Sequence, residues 1–320
     1  MKRPYENKSA HKGYAMSEQK KKPDIRLIVL DVDGTLLDSQ HALTARVEQA
    51  VKAAIAKGVP VVLATGKTRT STLKLIEQLG LQSPGIYLQG LAIFDAEGKV
   101  THQWKLDPAL ARQVITFAED RGFIVVGYSE NRILARTDDK RLREGFTNYH
   151  EIALEAVGPL QNILASAPLN KLIAVGDPRA ITALRWQLNL QIGGAGRVMQ
   201  AGVPTMVEIL PPGCSKASAL KVLLQDLKIA PEHVMAMGDA ENDIEMIQMV
   251  GVGVAMGQAD QAVKDAADDV TASCDEDGVA QAIERYVLSE PESAKAEAEA
   301  EKEAETKPET VIEPPQEAKS

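Results

Sequence analysis

The sequence predicts an α/β fold in which a doubly wound parallel β-sheet is interrupted by an inserted α+β domain. Apolar strand candidates alternate with helix candidates of about 10–15 residues near both ends of the predicted fold, which is the pattern of consecutive βαβ units. Between these two regions, hairpin and helix patterns are mixed. A chain of 320 residues with 44% hydrophobic residues can bury more than one core.

The first βα units occupy residues 24–90. "IRLIVLDV" (25–32) is a continuous apolar run, as expected of a buried strand in a parallel sheet. "TARVEQAVKAAIAKG" places its apolar residues on one helical face, with Thr44 as the N-cap and Gly58 after the helix end. The alternation then continues as strand, helix and strand, at residues 59–64, 70–80 and 85–90.

The pattern changes over residues 91–203, where a predicted hairpin turns at Glu130-Asn131. The other predicted elements of this stretch are a helix at 107–122, a strand at 170–177 and a helix at 178–190. A mixture of hairpins and helices predicts an α+β insert. We assign residues 204–288 to the second half of the parallel-sheet domain; its predicted elements lie at 205–210, 216–227, 233–239, 241–250 and 251–256, with two more helices after them.

Both ends of the chain lack a fold-like pattern. Residues 1–23 hold seven Lys or Arg, two Glu and no apolar stretch, so we predict a disordered basic arm rather than a secretory signal. Since the strand pattern begins only at Ile25, Met16 is an alternative start. Residues 289–320 hold ten Glu and four Lys in a low-complexity Ala/Glu sequence, which predicts a disordered acidic tail.

Composition limits the partners and the compartment. The net charge is −9 and the stretch between the two ends is acidic, which argues against a nucleic-acid partner. No apolar run approaches the length of a membrane span. Cys214 and Cys274 lack partners at metal-ligand spacing, which favours reduced thiols in a cytoplasmic protein. The oligomeric state is left open.

Two carboxylates follow the first predicted strand, in "LIVLDVDGTLLD". Asp31 and Asp33 stand where the apolar run ends, before a glycine that lets the chain turn. The carboxyl edge of an open α/β sheet is where ligands bind. Taken alone, such a pair usually marks turn-forming aspartates, so the interpretation depends on further signals.

A second polar group follows a later strand, in "MAMGDAENDIEMI". Asp239 ends this strand, and Asn242 and Asp243 stand in the first turn of the next helix. One or two such residues are expected as helix caps, but three polar side chains at a second strand end indicate a metal site. Hard oxygen ligands without a neighbouring His or Cys favour Mg²⁺ over zinc.

Two further signals complete the set. "VVLATGKTR" ends like a nucleotide-binding P-loop, but Val61 stands where that motif requires glycine. Thr65 and Gly66 instead end the second strand beside Asp31, where a hydroxyl and a free N–H can hold a phosphoryl oxygen. Lys216 begins a helix after "LPPGCS". By itself this lysine indicates only a solvated charge. It supports a functional site because it stands between Thr65 and Asp239 in the order Asp-x-Asp, Thr, Lys, Asp.

The order Asp-x-Asp, Thr, Lys, Asp resembles the haloacid dehalogenase (HAD) superfamily. "DVDGTLL", "LATGK", Lys216 and "GDAEND" match its four motifs, and the match covers most of 25–288. The stretch from "PPGCSKASAL" onward resembles the Cof-type phosphatase branch, subfamily IIB. Only residues 34–43 separate the first motif from the next helix, so a cap must lie between Thr65 and Lys216. The resemblance implies a Rossmann-like core, an α+β cap and a Mg²⁺-dependent phosphatase of sugar phosphates or phosphorylated cofactors.

The resemblance also implies roles for the residues. Asp31 would be the nucleophile that forms an aspartyl phosphate, and Asp33 would be the general acid–base. Mg²⁺ would be held by Asp31, by the backbone carbonyl of Asp33 and by Asp239. Asp243 would orient Lys216 or a metal-bound water. The residues implied to hold the phosphoryl oxygens are Val32 through its N–H, Thr65, Gly66, Lys216 and Asn242.

Other functions stay open. A phosphotransferase or phosphomutase would pass the aspartyl phosphate to an acceptor hydroxyl, although the position of the cap argues against it. "GKTR" is similar to the "SKTR" of mannosyl-3-phosphoglycerate phosphatases, and a non-catalytic scaffold is a remote alternative. Lys67, Gln89 and Gln258 depart from the family pattern, which has Arg, Asn and Asn there. These departures leave the substrate undetermined.

Overall fold

The computed structural model describes residues 23–140, 142–143, 151–201 and 203–289. The predicted basic arm and acidic tail lie outside these residues, apart from Pro23 and Ser289. Within the described part of the chain, no helix combines the length and the apolar character needed to cross a bilayer.

Strands and helices occur in the following order. The strands are β1 (Leu27–Leu30), β2 (Val61–Leu63), β3 (Gly85–Tyr87), β4 (Ala92–Phe94), β5 (Val100–Gln103), β6 (Ile124–Ser129), β7 (Arg132–Ala135), β8 (Leu154–Ala156), β9 (Lys171–Val175), β10 (Arg197–Gln200), β11 (Met206–Leu210), β12 (Val234–Gly238), β13 (Val252–Ala255) and β14 (Asp269–Val270). The helices are α1 (Ala45–Ala56), α2 (Leu73–Leu79), α3 (Pro108–Glu119), α4 (Pro178–Ile192), α5 (Lys216–Leu227), α6 (Ile244–Gln248), α7 (Gln261–Ala266) and α8 (Gly278–Ile283).

The predicted parallel sheet is confirmed, with β12 at its centre and β1 between β12 and the edge strand β2. Its five strands follow the order β14-β13-β12-β1-β2, and all of them pair in parallel. Side chains of β1 alternate between the two faces. Ile28 and Leu30 belong to the apolar cluster that includes residues of α1 and α8, whereas Leu27 and Val29 belong to the cluster that includes residues of α5. Helices therefore cover both faces, as a doubly wound sheet requires.

Local signals set the helix ends. The Thr44 hydroxyl accepts a hydrogen bond from the Val47 N–H at 3.3 Å and so caps α1. Gly58 and Gly80 follow α1 and α2 with φ of +82° and +67°, the left-handed conformation that glycine adopts without strain. The helix predicted at 241–250 is shorter, because Glu241–Asp243 forms a 3₁₀ turn and only Ile244–Gln248 is α-helical.

A six-stranded sheet forms the cap and follows the order β10-β11-β9-β6-β7-β8. The predicted hairpin is confirmed, because β6 and β7 pair antiparallel around Glu130. Helices α3 and α4 pack against one face of this sheet. Strand β11 pairs with β9 and β10, although we assigned residues from 204 onward to the parallel-sheet domain. Its side chains alternate between the two faces of the cap sheet, and four of its five residues are buried. The domain boundaries themselves stay a prediction.

A three-stranded antiparallel sheet, β3-β4-β5, lies beside β2. A single parallel bridge between Ala64 and Ile86 links it to the five-stranded sheet. After β3 the backbone is left-handed at Leu88, Gln89 and Gly90, with φ of 56°, 63° and 91°. A Cβ on Gly90 would lie 2.2 Å from the Ser215 carbonyl oxygen, so only glycine permits this close approach to the start of α5.

Candidate active site

Polar residues collect at the carboxyl edge of the five-stranded sheet. Asp31 follows β1, Asp239 follows β12, and Thr65 follows β2 after one further residue. The Asp31 N–H donates to the Met237 carbonyl at 3.1 Å, which continues the pairing of β1 and β12 up to the carboxylates. Because parallel strands end at the same edge, residues distant in sequence become neighbours here.

A buried lysine joins two of these carboxylates. Lys216 is the first residue of α5, and its Nζ donates to Asp31 Oδ1 at 2.6 Å and to Asp243 Oδ1 at 2.7 Å. The three residues are 1%, 6% and 0% exposed, respectively. Ser215 caps the helix by accepting from the Ser218 N–H at 3.2 Å, which fixes where α5 begins. Lys216 is therefore positioned by its helix and shared by two aspartates.

The charges of this cluster act on one another. Burial raises the pKa of Asp31 well above its ordinary value although the Lys216 ammonium opposes the rise, and Asp243 and Asp239 raise it further. Burial alone would lower the pKa of Lys216, but the carboxylates of Asp243 and Asp31 raise it above its ordinary value. The ammonium therefore stays charged, and the surplus of carboxylates leaves the site attractive to a cation.

Asp239 stands beside this cluster and adds a third carboxylate to a group that could hold a metal ion. Carboxylate oxygens of Asp31, Asp239 and Asp243 lie within 4.8 Å of one another. Burial, followed by the charge of Asp243, raises the pKa of Asp239 to about 6. A Cβ on Gly34 would lie 2.4 Å from Asp239 Oδ2, so glycine admits this carboxylate beside the turn. Thr35 Oγ1 donates to Asp239 Oδ1 at 3.2 Å and orients it.

Asp243 differs from the other two carboxylates, because both of its oxygens already accept hydrogen bonds. Oδ1 accepts from Lys216, and Oδ2 accepts from the N–H groups of Asp239 and Ala240, each at 3.2 Å. A carboxylate held in this way is suited to orienting its neighbours. Asp31 and Asp239 therefore remain as the side chains best able to hold a metal ion, and their hard oxygen atoms suit Mg²⁺.

Replacing Asp239 with asparagine is expected to stabilise the metal-free protein near neutral pH. The pKa of Asp239 is about 6 in the fold against an ordinary value of 3.8, so the folded state binds this proton more tightly and stability falls as pH rises through that interval. In EDTA at about pH 7.5, the melting temperature of Asp239→Asn should exceed that of the unmodified protein by about 2–4 °C. At about pH 5 the difference in melting temperature between the two proteins should be smaller. An equal difference at both pH values would show that the charge of Asp239 is not what destabilises the unmodified protein.

Asp33 lies nearer to solvent than Asp31 and has two basic neighbours. Its side chain is 35% exposed, and Oδ1 lies 3.2 Å from Lys67 Nζ and 3.3 Å from His41 Nδ1. Lys67, which departs from the family pattern, thus keeps a cation beside Asp33. The sequence offered no signal for His41, because its contact depends on a turn in which its φ is +57°.

Gln89 links two of the residues predicted to bind phosphoryl oxygens. Its Oε1 accepts from Asn242 Nδ2 at 2.8 Å, and a Cβ on Gly66 would lie 2.6 Å from its Nε2. Asn242 Oδ1 is buried and has no hydrogen-bond partner among the described residues. Thr65 Oγ1 accepts from the Lys67 N–H at 3.2 Å. The Gln89 side chain therefore lies between Gly66 and Asn242.

Three further residues named from the sequence, Val32, Thr65 and Gln258, lie around the turns at this edge of the sheet. Val32 and Thr65 are each 1% exposed. A ligand could therefore contact only the backbone N–H of Val32 and the hydroxyl group of Thr65. Gln258 donates to the Gly34 carbonyl and accepts from the Cys274 N–H at 3.0 Å. It therefore supports the turn that follows Asp33.

A cavity of about 660 Å³ opens at this edge of the sheet. Three of the predicted site residues, Val32, Thr65 and Asp243, do not line it. The predicted residues on its floor are Asp31, Asp33, Gly66, Lys216, Asp239 and Asn242. Its roof is formed by the cap sheet, through Tyr128, Lys171, Ile173, Met199, Met206 and Glu208. The sequence pattern does not predict this roof. The one available signal was a charged residue within each of two apolar strands, "KLIAV" and "MVEIL".

Comparisons with known proteins agree with this architecture. The family model of haloacid dehalogenase-like hydrolases matches residues 28–283. A chloroplastic endoribonuclease YBEY of Arabidopsis thaliana is 33% identical over 277 residues, which are 83% of this chain but 47% of that protein, so the chain spans about half of its length. The 5-amino-6-(5-phospho-D-ribitylamino)uracil phosphatase YcsE of Bacillus subtilis is 33% identical over 282 residues, covering 85% of this chain and 100% of that protein. The crystal structure of a haloacid dehalogenase-like hydrolase from Bacteroides thetaiotaomicron superimposes with a TM-score of 0.73 at 30% identity, covering 82% of this chain and 99% of that one.

Proposed function

The chain belongs to the haloacid dehalogenase-like hydrolases, and on this premise we propose that it is a Mg²⁺-dependent phosphatase that hydrolyses small phosphorylated metabolites through an aspartyl phosphate. The observation that supports this most is the contact of Lys216 with Asp31 at 2.6 Å, at a strand end that opens into the cavity. The relative YcsE is named for phosphatase activity on a small phosphorylated compound. A cytoplasmic location and the absence of a nucleic-acid partner remain predictions from composition.

The first step is the transfer of the phosphoryl group to Asp31. A carboxylate oxygen of Asp31 attacks phosphorus, and the bond between phosphorus and the leaving-group oxygen breaks. The Lys216 ammonium lies 2.6 Å from Asp31 Oδ1 and so reduces the repulsion between this carboxylate and the incoming phosphate. Gly66, through its backbone N–H, and Asn242, through its side-chain amide, would donate to the phosphoryl oxygens. Both residues line the cavity, which supports this role.

Asp33 transfers protons in both steps. As an acid it protonates the departing oxygen. As a base it then takes a proton from the water that attacks phosphorus, while the bond between phosphorus and the Asp31 oxygen breaks and inorganic phosphate leaves. Lys67 and His41 both contact Oδ1 of Asp33, so Oδ2 is the oxygen left for proton transfer. Partial exposure of this side chain within the cavity suits a group that must meet both a leaving group and water.

Mg²⁺ fits the oxygen atoms at the floor of the cavity. Asp31, Asp239 and the backbone carbonyl of Asp33 would hold it. Burial, and after it the charge of Asp243, raises the pKa of Asp239, and a bound cation would offset the cost of that buried charge. When bound, the ion offsets the negative charge shared by the carboxylates and the phosphate. Asp243 contributes by holding Lys216 rather than by binding the ion.

The proposal is tested by phosphate release with and without the metal. We expect the purified full-length chain to release inorganic phosphate from acetyl phosphate and from one or more phosphorylated metabolites in Mg²⁺. Release should stop in EDTA and return when excess Mg²⁺ is added. Undiminished release after exhaustive chelation would refute the metal requirement. No release by folded protein, either from acetyl phosphate or from any phosphate ester, would refute the phosphatase. An added alcohol that accepts the phosphoryl group in preference to water would favour a phosphotransferase.

A further inference from the structure

The turn that follows β2 runs from Thr65 to Lys67 and is tied to the segment after β3 by backbone hydrogen bonds. The Thr65 N–H donates to the Ile86 carbonyl at 2.9 Å, and the Thr65 carbonyl accepts from the Gln89 N–H at 3.0 Å. The Lys67 carbonyl accepts from the Leu88 N–H at 3.0 Å. Both ends of the turn are therefore fixed by the core itself.

The peptide group between Gly66 and Lys67 is held from the cap instead. Lys171, the first residue of β9, donates from Nζ to the Gly66 carbonyl at 3.1 Å. The N–H of the same peptide group, that of Lys67, donates to the Thr65 hydroxyl at 3.2 Å. Hydrogen bonds in a chain polarise one another, so a cation on the carbonyl strengthens the bond that the N–H donates. The Lys171 ammonium therefore acts on the Thr65 hydroxyl through one peptide group.

Two donors of this turn remain for a ligand. Within the described ranges, neither the Gly66 N–H nor the Thr65 hydroxyl hydrogen has a hydrogen-bond acceptor, whereas every other backbone N–H and carbonyl of the turn is paired. Gly66 lines the cavity, and Thr65 is buried beside it. Because the Thr65 oxygen already accepts from Lys67, its hydrogen is left to point elsewhere. These two donors are the groups predicted to bind phosphoryl oxygens.

Lys171 is itself held in place by strand register. It stands opposite Tyr128 of β6, and Glu208 is its diagonal neighbour on β11. Its Nζ lies 3.1 Å from Glu208 Oε1 and 4.5 Å from the centroid of the Tyr128 ring. The two charged side chains are 2% and 7% exposed. A buried ion pair is often no more stabilising than apolar side chains of similar volume, so stability alone does not account for a lysine here.

We propose that Lys171 is a positioning residue, oriented by Glu208, that holds the peptide group between Gly66 and Lys67 and so directs the Thr65 hydroxyl to a phosphoryl oxygen. The cap then supports the phosphoryl site through the backbone of the core, without contacting the reacting atoms. This inference rests on the proposed phosphatase activity and adds to it a residue whose effect does not depend on the leaving group.

The first test removes the ammonium without leaving a buried charge behind. Lys171→Met combined with Glu208→Gln keeps the approximate shape of both side chains and neutralises both. We expect kcat/KM for acetyl phosphate in Mg²⁺ to fall at least about tenfold, and the inhibition constant of orthovanadate, which has no leaving group, to rise by a similar factor. Arg132→Met combined with Glu155→Gln is the matched control, since this exposed ion pair lies in the same sheet outside the cavity. Equal constants in the two double variants would overturn the proposal.

The second test asks whether Lys171 acts through Thr65. In a Thr65→Val background the hydroxyl is absent, so neutralising Lys171 and Glu208 should lower kcat/KM for acetyl phosphate by less than about threefold, whereas in Thr65→Ser, which keeps the hydroxyl, the fall of about tenfold should return. Equal falls in the two backgrounds would show that the ammonium acts on the bound anion directly. That result would overturn the proposal and leave the phosphatase intact, whereas no hydrolysis by the unmodified chain would overturn both.

Discussion

Asp31→Asn is expected to lower kcat by about four orders of magnitude or more, because it removes the atom that attacks phosphorus. The carboxamide has nearly the same shape as the carboxylate, and its oxygen can still accept the hydrogen bond that Lys216 donates to Asp31 at 2.6 Å. The loss of activity should therefore come from chemistry rather than from a rearranged site. Single-turnover phosphate release in Mg²⁺ measures it.

The fold of this variant should survive. Burial raises the pKa of Asp31 well above its ordinary value, which means that the buried charge is costly and that a neutral side chain is tolerated in its place. Thermal melting should show no loss of stability. Asp265→Asn, which changes an exposed aspartate of α7 in the same way, is the control and should keep full activity. Normal turnover by folded Asp31→Asn would show that another group is the nucleophile.

The floor of the site could be predicted because its geometry follows from topology. Asp31 and Asp239 each follow an apolar strand directly, Gly66 comes soon after a third strand, and parallel strands that alternate with helices must end at one edge. Thr44, Gly58 and Gly80 marked helix ends through local chemistry that does not depend on the rest of the fold. The distances could not be predicted, but the set of neighbours could.

The roof could not be predicted, since it depends on long-range register. Whether Lys171 and Glu208 face the cavity or the helices is decided by strand pairing, and a shift of one residue would exchange the two faces. The same limit explains why β11 was assigned to the parallel-sheet domain: its five residues do not reveal which strands they pair with. The sequence marks Gln89 only as a departure from the family pattern, because its left-handed backbone has no sequence signature.

Lys216→Met is expected to destabilise the protein by about 3–5 kcal/mol, because it leaves two buried carboxylates without their shared cation. Methionine has a similar length and no charge, so the change removes the ammonium while disturbing packing little. Lys216 Nζ is the donor to both Asp31 Oδ1 and Asp243 Oδ1, and Asp243 is 0% exposed. The rate of phosphate release by this variant should also decrease, because no ammonium remains beside Asp31. Denaturant unfolding measured in EDTA gives the free-energy change.

The double variant Lys216→Met with Asp243→Asn separates electrostatics from catalysis. Neutralising Asp243 removes one of the two repelling charges, so it should recover a large part of the lost stability, while activity stays low because no ammonium remains beside Asp31.

The loss of stability caused by Lys216→Met alone should be smaller at low pH. Without Lys216 the folded state holds a proton on Asp31 more tightly than the unfolded chain does, so the stability of this variant falls as pH rises. If Lys216→Met unfolded at the denaturant concentration of the unmodified chain at every pH, the ammonium would not be balancing these carboxylates, and the electrostatic account of the site would be wrong.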